Sequence, residues 1–251
     1  MLSSTNARLA AARRLTRRTA RRETGRFLAE GAPAVREALA ASAVLELFAT
    51  AEAMSRYPSL TGDAAEISPR DAAALSETVT PQGLVAVCSV PETSFADVLA
   101  SSPRLLAVLV EPNDPGNLGT IIRTADAAGA DAVVVDGGVD PYNGKAVRAS
   151  AGSLFHLPVV SAPVAEVLAS DLLTLATSGG GSVDLDDLIS DGSLSGPSAW
   201  LFGTEAHGLP ADVLSAAARA VRVPIYGRAE SLNLAAAAAV CLYASARAQR
   251  H

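Results

Sequence analysis

From Leu105 onward, short apolar runs alternate with stretches of helical period, and this alternation constrains the fold more than any other feature of the chain. The runs are "LLAVLV" (105–110), "DAVVVD" (131–136), "LPVV" (157–160), "LLTLATS" (172–178), "AWLFG" (199–203) and "AVRVPI" (220–225). Apolar runs of this length, bounded by Gly, Asp or Pro, fit strands buried on both faces. Helices are expected at 117–128, near 143–152, just after Pro210 and from about Leu232 to the end. Strand and helix in alternation imply a mostly parallel sheet with helices on both faces. The Gly/Ser/Asp-rich stretch 178–198 interrupts the pattern, and its "SGGGS" (178–182) reads as a flexible turn.

A smaller α/β unit precedes this region. "RFLAEGAPAVREALAA" (26–41) reads as a strand followed by an amphipathic helix, "AVLELFAT" (43–50) as a strand, "SPRDAAALSETV" (68–79) as a helix opened by Ser68 and Pro69, and "QGLVAVCSV" (82–90) as a strand. The linker "PETSFADVLASSPR" (91–104) carries Phe95, Val98 and Leu99 at a spacing that also suits a docked helix. The expected division is therefore an arm over 1–26, a small domain over 27–95 and a larger one over 104–251.

Charge sets the arm apart. Residues 1–26 hold eight arginines (8, 13, 14, 17, 18, 21, 22 and 26) against Glu23, a net of +7 that leaves −13 for the rest of a chain whose total is −6. A local block of arginine neutralises phosphates and is a footprint of a polyanionic partner. The other reading is an exposed helix or frayed arm with no specific role. No apolar run approaches 18 residues, so no membrane span is expected. Two distant cysteines, Cys88 and Cys241, and three histidines, His156, His207 and His251, offer neither a disulfide framework nor a structural metal site. The expected compartment is a reducing cytoplasm.

The larger domain lacks G-x-G-x-x-G, G-x-x-x-x-G-K-[ST] and G-x-S-x-G, so hydride transfer, nucleotide hydrolysis and acyl transfer have no support. It has instead three polar clusters, each just after an expected strand: "NDPGNLGTIIRTADAAG" (113–129), "LFGTEAHGLP" (201–210) and "VPIYGRAESLNLAAAAA" (223–239). In an open α/β sheet that edge is where ligands bind. Gly203 and Gly208 would let backbone approach a ligand closely. Each cluster alone could be a helix entry, a glycine turn or an N-cap; their order argues otherwise.

Together the clusters resemble the SpoU/TrmH-type RNA 2′-O-ribose methyltransferases of the SPOUT class, over about residues 105–247. "GKAVRASAGSLFHLPVV" (144–160) is similar to the family as well, and "RRETGRFLAEGAPAVREAL" with "TPQGLVAVC" resembles the ribosomal-protein-like substrate-binding domain of some members. The resemblance implies a C-terminal trefoil-knotted, mostly parallel α/β domain with a smaller N-terminal α/β domain. It also implies S-adenosylmethionine as cofactor, an RNA substrate and a homodimer. Large-subunit ribosomal RNA is favoured over transfer RNA; a noncatalytic RNA-binding or ribosome-assembly protein with this fold is the competing reading.

The resemblance also assigns residues. Arg123 is central, Asn117 helps hold it or the substrate, and Glu205, Ser231 and Asn233 complete the catalytic set. Cofactor contacts fall on Gly203, Gly208, Val223 and Leu232, with Leu201, Ile225 and Leu234 beside the adenine. The arginine block, not the resemblance, points to RNA contacts at Arg13, Arg14, Arg17, Arg18, Arg21 and Arg22, and Arg148 is a further expected phosphate contact. A sulfonium donor is already activated, so neither metal nor covalent nucleophile is required, and positioning should dominate. Arg123 is a poor general base, since a guanidinium stays protonated to a pKa above about 12. Its expected part is to clamp a phosphate or the 2′-oxygen by charge-assisted hydrogen bonds.

Overall fold

The computed structural model describes residues 1–78, 80–204 and 206–250 and divides into two compact units, Met1–Glu92 with Asp140–His156, and Thr93–Val139 with Leu157–His251. No helix among the described residues is long and apolar enough to cross a membrane.

The first unit begins with two short helices, α1 (Ala7–Arg14) and α2 (Arg18–Thr24), followed by β1 (Arg26–Glu30), α3 (Ala32–Ala40), β2 (Val44–Ala49), α4 (Ala51–Arg56), β3 (Ala65–Glu66), α5 (Pro69–Ala74) and β4 (Leu84–Ser89). Its sheet runs β1-β4-β2-β3, with β4 antiparallel to both neighbours and β2 parallel to β3. Caps explain the helix starts: the side chains of Asn6, Thr50 and Ser68 accept backbone N–H groups in the first turns of α1, α4 and α5.

Residues 1–26, expected to stand apart as an arm, are a folded part of this unit. Leu9, Ala12 and Leu15 are buried with Phe48, Ile67, Leu75 and Val85. Their spacing is an apolar stripe on a helix whose other faces carry arginine, so charge hid it in the sequence. Arg21 is 6% exposed; its Nε donates to Asp140 Oδ2 at 2.7 Å and its Nη1 to the carbonyls of Leu15 and Thr16 at 2.8 and 3.0 Å, closing the end of α1. Arg13 binds the buried carboxylate of Asp71, which also accepts from Ser68 and Ser4 at 2.7 and 2.9 Å. The Ser68 hydroxyl is the first cause holding the Asp71 carboxyl below its ordinary range. Arg13 and Arg21 are therefore tied within the unit, Arg21 buried and Arg13 part-exposed. Arg14, Arg17, Arg18, Arg22 and Arg26 remain exposed.

The second unit opens with α6 (Phe95–Ala100), held by a Ser94/Asp97 capping box. Phe95 and Val98 are buried in the core, so the stretch 95–100 is a docked helix and not a free linker. Then come β5 (Leu105–Val110), α7 (Pro115–Ala128) and β6 (Ala132–Asp136). Next is α8 (Gly144–Ala149), which belongs to the first unit, and after it β7 (Val159–Ser161), α9 (Val164–Leu168), β8 (Leu173–Thr177) and β9 (Val183–Asp184). The chain ends with α10 (Leu185–Ser190), β10 (Ser198–Phe202), α11 (Ala211–Ala216), β11 (Arg219–Arg222) and α12 (Leu234–Ala248). All seven strands are parallel, in the order β7-β6-β5-β10-β8-β11-β9.

Alternate residues of each strand face opposite sides. Leu106, Val108, Val134 and Leu201 pack with Phe95, Val167 and Val213 from α6, α9 and α11. On the other face α12 lies against α7, β5 and β10, and Trp200 Nε1 donates to Ser245 Oγ of α12 at 2.8 Å in the buried interior. The stretch 178–198 is more ordered than its composition suggests, because Leu185, Leu188 and Leu194 are buried and anchor α10 and the turn after it.

The segment 140–156 leaves the parallel sheet between β6 and β7 and completes the first unit. The Phe27 ring of β1 lies 4.9 Å from Tyr142 and 5.8 Å from Phe155. Burial pushes the Tyr142 hydroxyl pKa well above its ordinary value.

Candidate functional site

Because β5, β8, β10 and β11 are parallel and adjacent, the segments that follow them (111–117, 178–182, 203–210 and 223–233) leave the same edge of the sheet. Asp114 opens α7 by accepting from Asn117 N at 2.8 Å. Asn233 opens α12, its Oδ1 accepting from Ala235 N and Ala236 N, while its Nδ2 donates to Asn117 Oδ1 at 3.2 Å. The first and third motifs thus meet at the amino ends of two packed helices. Arg123 is exposed on α7 and makes no salt bridge among the described residues. Ser231 is exposed in the irregular strap between β11 and α12; Glu205 lies outside the described residues.

A cavity of about 670 Å³ opens at this edge. The second and third motifs supply Gly208, Leu209, Val223, Ile225, Ser231 and Leu232 to its lining, and Thr177, Ser178 and Gly179 close it from the end of β8. Of the expected cofactor residues, Gly208, Val223, Ile225 and Leu232 line it; Leu201, Gly203 and Leu234 do not. Leu201 is fully buried in the sheet core. Asn117, Arg123 and Asn233 are also outside the lining, and Arg148 sits in the first unit, its guanidinium 3.7 Å from the Glu30 carboxylate.

Gly203 is a glycine for a different reason than expected. A Cβ there would stand 2.1 Å from the carbonyl carbon of Gly208 and 2.3 Å from Leu209 N. Backbone fills the space, because Thr204 and Gly208 pair across the loop, Thr204 N donating to Gly208 O at 3.1 Å and Gly208 N returning to Thr204 O at 2.9 Å. Gly208 itself takes φ +68°, which a side chain would strain. Gly203→Ala is expected to spring this loop open, costing about 1–3 kcal/mol by overpacking and greatly weakening S-adenosylmethionine binding. Thermal melts and titration calorimetry check it; unchanged values in both would contradict the loop's role.

The strap is tied on the opposite side. Arg222 forms a two-point pair with Asp184, Nε to Oδ1 at 2.9 Å and Nη2 to Oδ2 at 2.6 Å. The hydrogen bond from Arg222 holds the Asp184 carboxyl below its usual range. Tyr226 donates its hydroxyl to Asp186 Oδ2 at 2.5 Å, which raises the Tyr226 pKa. Sequence reading missed Thr177, Ser178, Asp184, His207, Tyr226 and Glu230 as lining residues. The available signal was position: 178 follows a parallel strand just as 113, 203 and 223 do.

S-adenosylmethionine joins an adenine to a zwitterionic amino-acid tail. The cavity sets Val223, Ile225, Leu209 and Leu232 beside Asp184, Glu230 and Arg222, so apolar and charged groups suited to both ends are present, at a size usual for small-molecule sites of about 300–1,000 Å³. The two thiols are no rival nucleophiles: burial pushes Cys88 and Cys241 up to about 12.

Comparison with known proteins gives a consistent picture. The sequence profile of the SpoU rRNA methylase family matches residues 104–243, and that of the MRM3-like substrate binding domain matches residues 6–86. The chain is 38% identical over 231 residues to the 23S rRNA (guanosine(2553)-2′-O)-methyltransferase RlmP of Bacillus subtilis, covering 89% of each. It is 34% identical over 178 residues to the 23S rRNA (uridine(2479)-2′-O)-methyltransferase of Streptomyces viridochromogenes, covering 66% of this chain and 61% of that protein. Among solved structures, an RNA 2′-O ribose methyltransferase superposes with a TM-score of 0.82 at 35% identity, over 99% of this chain and 98% of the other. The SpoU methyltransferase AviRb from Streptomyces viridochromogenes, in complex with AdoMet, gives 0.83 at 29% identity over 98% of each.

Proposed function

The chain belongs to the SpoU rRNA methylase family, and from that membership we propose that it methylates a ribose 2′-hydroxyl of 23S ribosomal RNA with S-adenosylmethionine as donor. The observation that carries the reading is the cavity built by the second- and third-motif loops at the sheet edge where Asn117 meets Asn233. When bound, S-adenosylmethionine supplies a methyl group already activated on a sulfonium. Gly208, Val223, Ile225 and Leu232 hold it, and Gly203 serves by keeping the 204–208 loop closed. Arg123 clamps the substrate phosphate or 2′-oxygen and stabilises alkoxide charge as it develops. Asn117 and Asn233 fix the geometry around it, with Ser231 and Glu205 completing the set.

The first unit is the RNA-binding domain in this reading. Support comes from the profile match over 6–86 and from the exposed Arg14, Arg17, Arg18, Arg22 and Arg26. The C-terminal segment takes the family's trefoil knot, consistent with β10 inserted between β5 and β8 and with α12 lying against α7. The free, buried Cys88 and Cys241 suit a reducing cytoplasm.

The working form is a homodimer through the outer face of α12, where Val240 and Tyr243 are 43% and 53% exposed within one turn. Such residues are better covered than solvated. Tyr243→Asp is expected to shift sedimentation from dimer to monomer at micromolar concentration; a monomeric wild-type protein would contradict the assembly. The function itself is tested by incubating the protein with methyl-labelled S-adenosylmethionine and separated 23S, 16S and transfer RNA, then mapping alkali-resistant linkages. Label confined to 23S RNA is expected; label in transfer RNA alone would overturn the substrate, and none in any RNA would overturn the activity.

A further inference from the structure

The first unit contains a second cavity, about 260 Å³, that the methyl-transfer reading does not use. It lies where β1 passes into α3, and Glu30, Pro33, Gln82, Arg148 and Ala151 give it its chemistry. We propose that this cavity captures one unpaired nucleobase of the RNA substrate, with guanine preferred, and so contributes sequence recognition apart from the catalytic centre; the proposal rests on the RNA methyltransferase reading above.

The lining argues for a base and against a phosphate. Glu30 is a mostly buried carboxylate, its side chain 11% exposed. Its Oε1 accepts from Ser76 Oγ at 2.5 Å and Thr78 Oγ1 at 3.1 Å. Among the described residues its Oε2 faces the Arg148 guanidinium at 3.7 Å, beyond hydrogen-bond reach. Oε2 opens on the cavity without a hydrogen bond among the described residues, and its negative charge repels phosphate. Two donors of one ring edge would satisfy it.

Donors for a ring acceptor stand beside it. Gln82 Oε1 is used by Ala32 N at 3.2 Å, and its Nε2 has no hydrogen bond among the described residues. Arg148, 38% exposed, offers a guanidinium fork. Pro33, Ala34 and Ala151 form apolar walls for a flat ring. The Watson–Crick edge of guanine presents N1–H and N2–H₂ donors next to the O6 acceptor, which complements one free carboxylate oxygen beside an amide and a guanidinium. A volume below the usual range for a drug-sized ligand, about 300–1,000 Å³, suits one ring system. RNA is read through such splayed-out bases. The exposed arginines of the same unit position the backbone, and the cavity supplies the base contact that phosphate contacts cannot.

The test is saturation-transfer NMR on the full-length protein, presaturated with S-adenosylmethionine to block the 670 Å³ cavity, using GMP, UMP and ribose 5-phosphate as probes. GMP is expected to show transfer to its base proton, UMP a weaker signal and ribose 5-phosphate none. Glu30→Gln, which keeps the shape and its hydroxyl partners, and separately Gln82→Ala should each weaken GMP binding roughly tenfold. Glu30→Gln should also raise KM for 23S RNA with S-adenosylmethionine affinity unchanged, a split that mere destabilisation would not give. Equal transfer from ribose 5-phosphate, or a GMP signal untouched by both substitutions, would overturn the pocket. GMP binding is read without turnover, so its failure is distinguishable from failure of the methyl-transfer reading, which would show as no RNA methylation by the unaltered protein.

Discussion

Arg123→Ala is expected to slow methyl transfer by about 10²–10³-fold, the usual cost of deleting one donor aimed at developing negative charge. S-adenosylmethionine affinity should stay within a few-fold, because Arg123 is outside the lining of the 670 Å³ cavity. Among the described residues no carboxylate forms a salt bridge with Arg123 on the exposed face of α7. Arg123→Lys should recover only part of the rate, since an ammonium keeps the charge but loses the planar fork. Single-turnover rates at saturating RNA, set beside calorimetric cofactor binding, separate the two effects. A near-normal rate for the alanine variant would remove Arg123 from the chemistry.

Arg21→Ala should destabilise the protein by about 3–5 kcal/mol, as expected when one partner of a buried ion pair is removed. It would strand Asp140, whose side chain is 13% exposed, and free the carbonyls of Leu15 and Thr16. Arg17, four residues earlier and exposed, should behave in the opposite way. Arg17→Ala should change stability by no more than about 0.5 kcal/mol, yet flatten the plot of log RNA affinity against log salt by roughly 0.7–0.9, one phosphate contact. Urea melts and salt-dependent filter binding distinguish them. Equal loss of stability in both variants would mean the burial of Arg21 does not matter.

That contrast shows where sequence reading stops. Eight arginines in 26 residues look alike in composition, and only packing sorts Arg13 and Arg21 into internal ties. The strands of the parallel sheet were legible because both their faces are buried, so β5, β6 and β10 read as unbroken apolar runs. The loops of the three motifs were legible because they follow those strands. Gly203 also meets backbone five residues on, in a hairpin-like closure that no propensity signals. The 178–186 stretch went unread as part of the cavity because Ser and Gly dominate it, although Leu185 and Leu188 carry a helical spacing. The allegiance of 140–156 had no local sign at all, since Phe27 and Arg21, which hold it, lie more than 100 residues earlier.

That last feature has a bearing on synthesis. Domains made first usually fold first as the chain emerges, at roughly 5–20 residues per second. Here the ring of Phe27 and the guanidinium of Arg21 find their partners in Tyr142, Phe155 and Asp140. By that rate the nascent amino-terminal half waits about 6–25 s after β1 is made before the residues that complete it exist. During the wait the Phe27 ring and the Arg21 guanidinium lack those native partners. For the same reason an expression fragment cut near residue 92 should be poorly soluble, and co-supplying a peptide spanning 139–157 should rescue it.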